Sequence, residues 1–295
     1  MHHFYLDYIK ITMNRKLIYL DNNSTTPTDP RVVEAMLPYF YEKPGNAASR
    51  NHPFGWVAEE AVDYAREQIA DLIHVDPKEI IFTSGATESD NLGLKGVFEM
   101  YQSKGNHIIT AKTEHKAILD SCKKIEKMGG QVTYLDVKGD GMVDLEALEA
   151  AIKPETILVS IMWANNETGV IQDMKAIGDI CKKHGILFMS DATQAVGKID
   201  VNPKEMGVHL MAFTGHKMYG PKGVGALYVC RKNPRVKVTA QQDGGGHERG
   251  MRSGTLNVPA IVGFGKAAKI AKEEMVAEAA RLSAMRDDLQ KRLMA

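Results

Sequence analysis

Between residues 56 and 190 the chain alternates between stretches with apolar residues at helical spacing and short stretches of nearly continuous apolar character, and nothing else in the sequence constrains the fold as strongly. Val57, Ala61, Val62, Ala65, Ile69 and Leu72 recur on one helical face and predict a helix over 56–72. Residues 79–83, 107–111, 131–136, 156–162 and 186–190 read as strands, with helices over 88–101, 115–128, 144–152 and 173–184 between them. The run 156–162 lacks polar alternation, as expected of a strand covered on both faces. Strands alternating with helices of about 10–15 residues build right-handed crossover units, so the fold class is α/β, with a mainly parallel sheet covered by helices. Two further strands follow over 210–213 and 225–229, separated by a glycine-rich stretch, and Leu17-Ile18-Tyr19-Leu20 is also strand-like.

Composition narrows the function. The 295 residues include 37 basic and 37 acidic side chains, a formal charge of zero. That balance argues against a nucleic-acid binder held by global charge and against a polybasic membrane-surface protein. The longest strongly apolar uncharged run, 157–164, is far shorter than the roughly 20 residues that span a bilayer. Cys122, Cys181 and Cys230 are scattered, which fits a reducing, cytoplasmic setting and excludes a disulfide framework or a Cys-x-x-Cys zinc site. The histidines show no His-x-x-x-His spacing, so no metal site is expected.

The two ends stand apart. Residues 1–16 read as a leader that is not a signal peptide, with Met13 as the expected natural start. From 259 to 295 the chain is alanine-rich and helical, with Ile261, Phe264, Ala268, Ala271, Met275, Ala279, Leu282, Met285, Leu289 and Leu293 spaced for one face. A periodic run longer than about 25 residues without a cap is unusual in a globular domain. It reads as a linking helix toward a second domain, with a free C-terminal helix as the alternative. Within it, Gly263-Phe264-Gly265-Lys266-Ala267-Ala268 has the shape of a dinucleotide fingerprint. No acid-ended strand follows it, so it reads as helix packing.

Four groups carry chemistry. Asp191 follows an apolar strand and so lies at the carboxyl edge, where open parallel sheets bind ligands; capping the next helix is its other reading. Lys217, in Thr214-Gly215-His216-Lys217-Met218-Tyr219-Gly220, is a lysine after an apolar strand, bracketed by glycines. Desolvated beside other cations, such a lysine loses its proton and can form a Schiff base; the other reading is a solvated turn lysine. Ser84-Gly85-Ala86-Thr87-Glu88-Ser89 opens a helix after a strand, where free amides attract a phosphate, although Ser84 or Thr87 could simply cap that helix. His115 opens a helix at the same edge, where it can stack on a flat ring, move protons, or only cap. Amides for a phosphate, a lysine for an aldehyde, a carboxylate for a ring nitrogen and an imidazole for a ring face together suit pyridoxal 5'-phosphate.

From about Tyr19 onward the chain resembles the group I cysteine desulfurases. The resemblance is carried by Tyr19-Leu20-Asp21-Asn22-Asn23-Ser24-Thr25-Thr26-Pro27, Gly45-Asn46-Ala47-Ala48-Ser49-Arg50, residues 84–91, Lys112-Thr113-Glu114-His115-Lys116, Ala164-Asn165-Asn166-Glu167-Thr168-Gly169, Ser190-Asp191-Ala192-Thr193-Gln194, residues 214–225, and Gly244-Gly245-Gly246-His247-Glu248-Arg249-Gly250-Met251-Arg252-Ser253-Gly254-Thr255. The last stretch is the most specific.

The resemblance implies a type I pyridoxal-phosphate transferase fold with a seven-stranded, mainly parallel sheet. It divides the chain into a leader (1–16), a cofactor-binding large domain (17–265, with 17–50 partly in a small domain) and a linking helix (259–295) toward a small domain absent from the chain. It implies that Lys217 forms the Schiff base, Asp191 pairs with the pyridine nitrogen, and His115 stacks on the ring and moves protons. Ala86, Thr87, Thr214 and His216 would hold the phosphate, and Asn166 and Gln194 would contact ring substituents. Thr255 would reach the phosphate of a neighbouring subunit in a homodimer. L-cysteine would be converted to alanine, with the sulfur passed as a persulfide to an iron–sulfur scaffold or other acceptor protein. The family's attacking cysteine and its carboxylate-binding arginine would lie beyond Ala295, so this chain is expected to turn over L-cysteine poorly. Another pyridoxal-phosphate enzyme, such as an aminotransferase or selenocysteine lyase, and a non-catalytic cofactor-binding fragment are the competing readings.

Overall fold

The structure, a computed structural model, describes residues 17–295; the leader and the Met13 start lie outside the described residues. Local chemistry sets most element boundaries. Helix α1 (Pro30–Met36) begins with Pro30, and the Asp29 side chain caps it by accepting from the Arg31 N–H at 2.8 Å. Helix α2 (Pro53–Leu72) also starts on a proline, is capped by His52, and buries Ala58, Ala61, Val62, Ala65 and Ile69. Strand β1 (Ile80–Thr83) leads into α3 (Ala86–Tyr101), and β2 (His107–Ala111) into α4 (Lys116–Lys127). Strand β3 (Gln131–Leu135), α5 (Leu145–Ala150), β4 (Thr156–Ser160), α6 (Met174–His184) and β5 (Leu187–Asp191) follow. Asp144 and Asp173 cap α5 and α6, and α6 stops where Gly185 takes the left-handed conformation at φ 68°. Strands β6 (Leu210–Thr214) and β7 (Gly225–Val229) precede α7 (Val258–Met294).

The strands form one seven-stranded sheet in the order β1-β7-β6-β5-β4-β2-β3. Every neighbouring pair is parallel except β1/β7 and β6/β7, because β7 runs against the rest. Strand β4 stops at Ser160, but the chain continues beside β5, with the Ile161 N–H donating to Met189 O and the Trp163 N–H to Asp191 O. The sheet core is apolar on both faces, from Ile80 and Phe82 to Phe213 and Tyr228.

Two expectations need correction. Residues 17–20 form no strand: Leu17 and Leu20 are 76% and 86% exposed, with no sheet edge beside them to satisfy their backbone. The apolar stripe predicted along the C-terminal helix is buried only in its first part. Val258, Ile261, Phe264 and Ala268 are buried, whereas Leu282, Met285, Leu289 and Leu293 are exposed. The glycines within α7 do serve packing. A Cβ on Gly263 would lie 2.5 Å from Met36 of α1, and one on Gly265 would lie 2.5 Å from Ala65 of α2. Among the described residues no helix is long and apolar enough to cross a membrane.

Candidate active site

At the carboxyl edge of the sheet, the ends of β1, β5 and β6 and the loops after β2 and β4 surround a cavity of about 710 Å³. Nine sequence-predicted residues line it: Ala86, Thr87, His115, Asn166, Asp191, Gln194, Thr214, His216 and Lys217. The tenth, Thr255, is exposed and lies outside this cavity.

Lys217 ends a tight 3-10 turn, Gly215–Lys217, immediately after β6. The Gly220 N–H closes the turn onto Gly215 O at 2.9 Å, and a Cβ on Gly220 would meet that same oxygen at 2.8 Å. Glycine is therefore required there on steric grounds. The Lys217 Nζ donates to the carbonyls of Asn23 and Ser24, each at 2.7 Å. Burial pulls the lysine below its ordinary pKa, against the pull of Asp191 and Asp21. The segment that supplies those carbonyls is pinned in turn, because the Thr26 N–H donates to His216 O at 3.0 Å and the Asp29 N–H to Tyr219 O at 2.9 Å.

Asp191 is the last residue of β5 and is buried. One carboxyl oxygen accepts from the Thr193 N–H at 2.9 Å. Burial raises its pKa, opposed by that hydrogen bond and by the charges of His115 and Lys217. Both readings of Asp191 hold at once: it braces the following turn and faces the cavity. His115 likewise caps α4, its Nδ1 accepting from the Ala117 N–H at 3.1 Å, and also lines the cavity. With Nδ1 an acceptor, the neutral ring carries its proton on Nε2.

Neither Ser84 nor Thr87 caps α3. The N-cap is Gly85 at φ 157°, which contributes no side chain. Glu88 instead reaches back and accepts from the Ser84 N–H at 2.8 Å. The uncapped first turn thus leaves backbone N–H groups at the cavity, and these attract an anion. Gly225, the first residue of β7, packs against Gly85. Thr214 lines the same corner, but its hydroxyl donates to Val224 O at 2.9 Å, so toward the cavity it is an acceptor. His216 bonds Thr25 at 3.1 Å, and burial lowers its pKa, followed by the charges of Lys217 and Lys222. Gln194 donates to Asn23 O at 3.1 Å and accepts from Lys198, while Asn166 donates to Glu167 at 2.7 Å.

Several cavity residues went unassigned at the sequence level: Asp21, Asn23, Ser24 and Thr25, Glu88, Glu167 and Lys222. Asn23 and Ser24 hold Lys217 through backbone oxygens, for which residue type carries no signal. Glu88 could have been found, since a glutamate in a helical first turn is a known back-bonding partner. It is also paired with Arg252 at 2.7 Å, which ties the Gly244–Thr255 loop to α3. The three cysteines are buried and do not line the cavity, and burial pushes the Cys122 and Cys181 thiols up to about 12.

Residues 18–295 match the aminotransferase class-V family. The cysteine desulfurase IscS of Haemophilus ducreyi is 61% identical over 274 residues, covering 92% of this chain and 67% of that protein. The same enzyme of Methylococcus capsulatus is 57% identical over 272 residues, again 92% and 67%. The chain therefore spans about two thirds of the length of these relatives. Among solved structures, a NifS-like protein superimposes with a TM-score of 0.91 at 42% identity, covering 95% of this chain and 76% of that one. SspA in complex with cysteine gives 0.82 at 39% identity, covering 86% and 72%. A match over nearly the whole chain, at these identities and on this fold, makes the protein a member of the aminotransferase class-V family.

Proposed function

We propose that this chain carries the pyridoxal-phosphate site of a cysteine desulfurase, which converts L-cysteine to L-alanine and delivers the sulfur for iron–sulfur cluster assembly. The observation that carries the reading is the gathering of a desolvated lysine, a buried strand-end carboxylate, an imidazole and an uncapped helix start around one cavity. The IscS relatives and the structural neighbour described as holding cysteine support the substrate. Class-V aminotransferases are pyridoxal-phosphate enzymes, and the cavity fits that group: each of its functional groups has a chemically matched partner there.

The amides of Ala86 and Thr87, with Thr214 and His216, would hold the phosphate. The Lys217 Nζ would hold the aldehyde carbon, and Asp191 the ring nitrogen. His115 would cover the ring face, and Asn166 and Gln194 its substituents. When bound, the cofactor supplies an electron sink for the substrate's α-carbon. Around it, Lys217 would move protons at Nζ, and burial, which lowers its pKa against the pull of Asp191 and Asp21, favours its role as a base. His115 holds a second proton at Nε2. The Thr193 N–H and the nearby Lys217 favour the charged form of Asp191 against its burial, the form that would pair with a protonated ring nitrogen.

Sulfur transfer needs an accessible thiolate. All three cysteines are buried away from the cavity, and burial pushes the Cys122 and Cys181 thiols up to about 12, so this chain is expected to bind cofactor and L-cysteine while forming protein persulfide poorly. We assign it to the cytoplasm, as a homodimer in which Thr255 serves the partner's phosphate, with a scaffold or acceptor protein receiving sulfur. The test is borohydride trapping after addition of pyridoxal phosphate. The adduct is expected on the peptide containing Lys217 and is lost in Lys217→Ala. A colourless wild-type protein with no trapped lysine would overturn the reading.

A further inference from the structure

Beyond the end of β5 at Asp191, the chain winds through two successive turns. The Ala195 and Val196 N–H groups donate to Ala192 O at 2.9 and 3.0 Å, and those of Lys198 and Ile199 donate to Ala195 O at 3.0 Å. Gln194 and Lys198, four residues apart, therefore fall on one side of this segment. Gly197 takes the left-handed conformation at φ 78°, and a Cβ there would stand 2.8 Å from the Met218 Cβ. The bare glycine thus seats the segment against Met218, the neighbour of Lys217 in the chain.

A run of hydrogen bonds joins these side chains. Asn23 O accepts from Lys217 Nζ at 2.7 Å and from Gln194 Nε2 at 3.1 Å, and Gln194 Oε1 accepts from Lys198 Nζ. Both partners of Gln194 are chemically unambiguous. An ammonium only donates and a carbonyl only accepts, so the amide has a single consistent orientation. Its oxygen is turned to Lys198, and its nitrogen to Asn23, which lines the cavity as Gln194 does. One hydrogen of Nε2 goes to Asn23 O, and the other has no partner among the described residues. Lys198 is partly buried and does not itself line the cavity. Burial, followed by the charge of Lys217, lowers its pKa to about 8, with no carboxylate offsetting either. A partly buried cation without a carboxylate is costly, and an anionic atom on the other side of the amide would offset that cost.

We propose that Lys198 is a positioning residue for the reaction assigned above: by donating to Gln194 Oε1 it fixes the amide with Nε2 toward the cavity, where the unused hydrogen would go to the ring oxygen of the cofactor. The role rests on the reading of the cavity as a pyridoxal-phosphate site. Without the lysine, the bond to Asn23 O alone opposes a flip that would set the amide oxygen against the ring oxygen. The ammonium also polarises the amide, which makes the N–H on the cavity side a stronger donor. Because Lys198 does not reach the cavity, its whole effect passes through Gln194.

The test measures binding of pyridoxal phosphate, and of its deoxy analogue that lacks the ring hydroxyl, to the wild-type chain and its variants. Lys198→Met should weaken pyridoxal phosphate about tenfold, the scale of one charge-assisted hydrogen bond, and change affinity for the analogue by less than about twofold. Lys198→Arg, which still donates, should hold pyridoxal phosphate within about threefold of wild type. On a Gln194→Leu background, Lys198→Met should have no further effect, because the two residues act as one. Equal losses for both ligands in Lys198→Met, or additive losses in the double variant, would overturn the proposal and leave the cofactor reading standing. A wild-type chain that takes up neither ligand, with no borohydride-trapped Lys217, would overturn both.

Discussion

The carboxyl edge of the sheet and the distal half of α7 hold their side chains by different means. At the edge, groups far apart in sequence fix one another: Lys217 to Asn23 and Ser24, His216 to Thr26, Arg252 to Glu88. Along distal α7 the polar partners are neighbours on the same helix, as in the exposed pairs Arg281–Glu278 and Arg292–Asp288, three and four residues apart. Exposed pairs of that kind are screened by solvent and contribute little. The first arrangement holds atoms in place for chemistry, whereas the second maintains a helix and little more. Substitutions should therefore be costly where several elements converge and nearly silent where only one is involved.

The sharpest break should come at Arg66. Its guanidinium, buried on α2, donates twice to Glu248 at 2.8 Å, lies over the Phe82 ring, and so anchors the Gly244–Thr255 loop from below. Arg66→Met leaves a buried carboxylate without its partner and should cost about 3–5 kcal/mol in urea unfolding. Adding Glu248→Leu should recover most of that loss; if it does not, the pair is not the source of the cost. A smaller break lies where α7 meets α2. Gly265→Val forces a side chain onto the Ala65 backbone and should cost about 1–3 kcal/mol, read from the denaturant midpoint at constant m-value. At the other extreme, Leu289→Ala on exposed α7 should change stability by less than about 0.5 kcal/mol and leave the helical circular dichroism unchanged. A loss above about 1 kcal/mol there would mean that the distal helix is packed, and the contrast between the two regions would fail.

The same contrast explains what could be read from the sequence. Strands buried on both faces announce themselves by composition, and β2 and β7 fall where their apolar runs predict, at His107–Ala111 and Gly225–Val229. Helices with good caps are nearly as clear, as Asp144 and Asp173 show. Residues 17–20 misled because β-propensity describes fitness for a half-buried pleated surface, and no such surface is offered to them. The helix over 30–36 went unread although Asp29-Pro30 is a proper start, since a seven-residue element shows too few turns for periodicity. In the site, residue types with distinctive chemistry were found, whereas partners acting through backbone oxygens were not.

One small residue lets two walls of the site come together. Gly225 opens the reversed strand between Gly85 and Phe213, and a methyl group there would stand 2.7 Å from backbone atoms of both. The close seating of the helix-start loop against the strand that leads into the lysine turn therefore depends on a side chain that is not there.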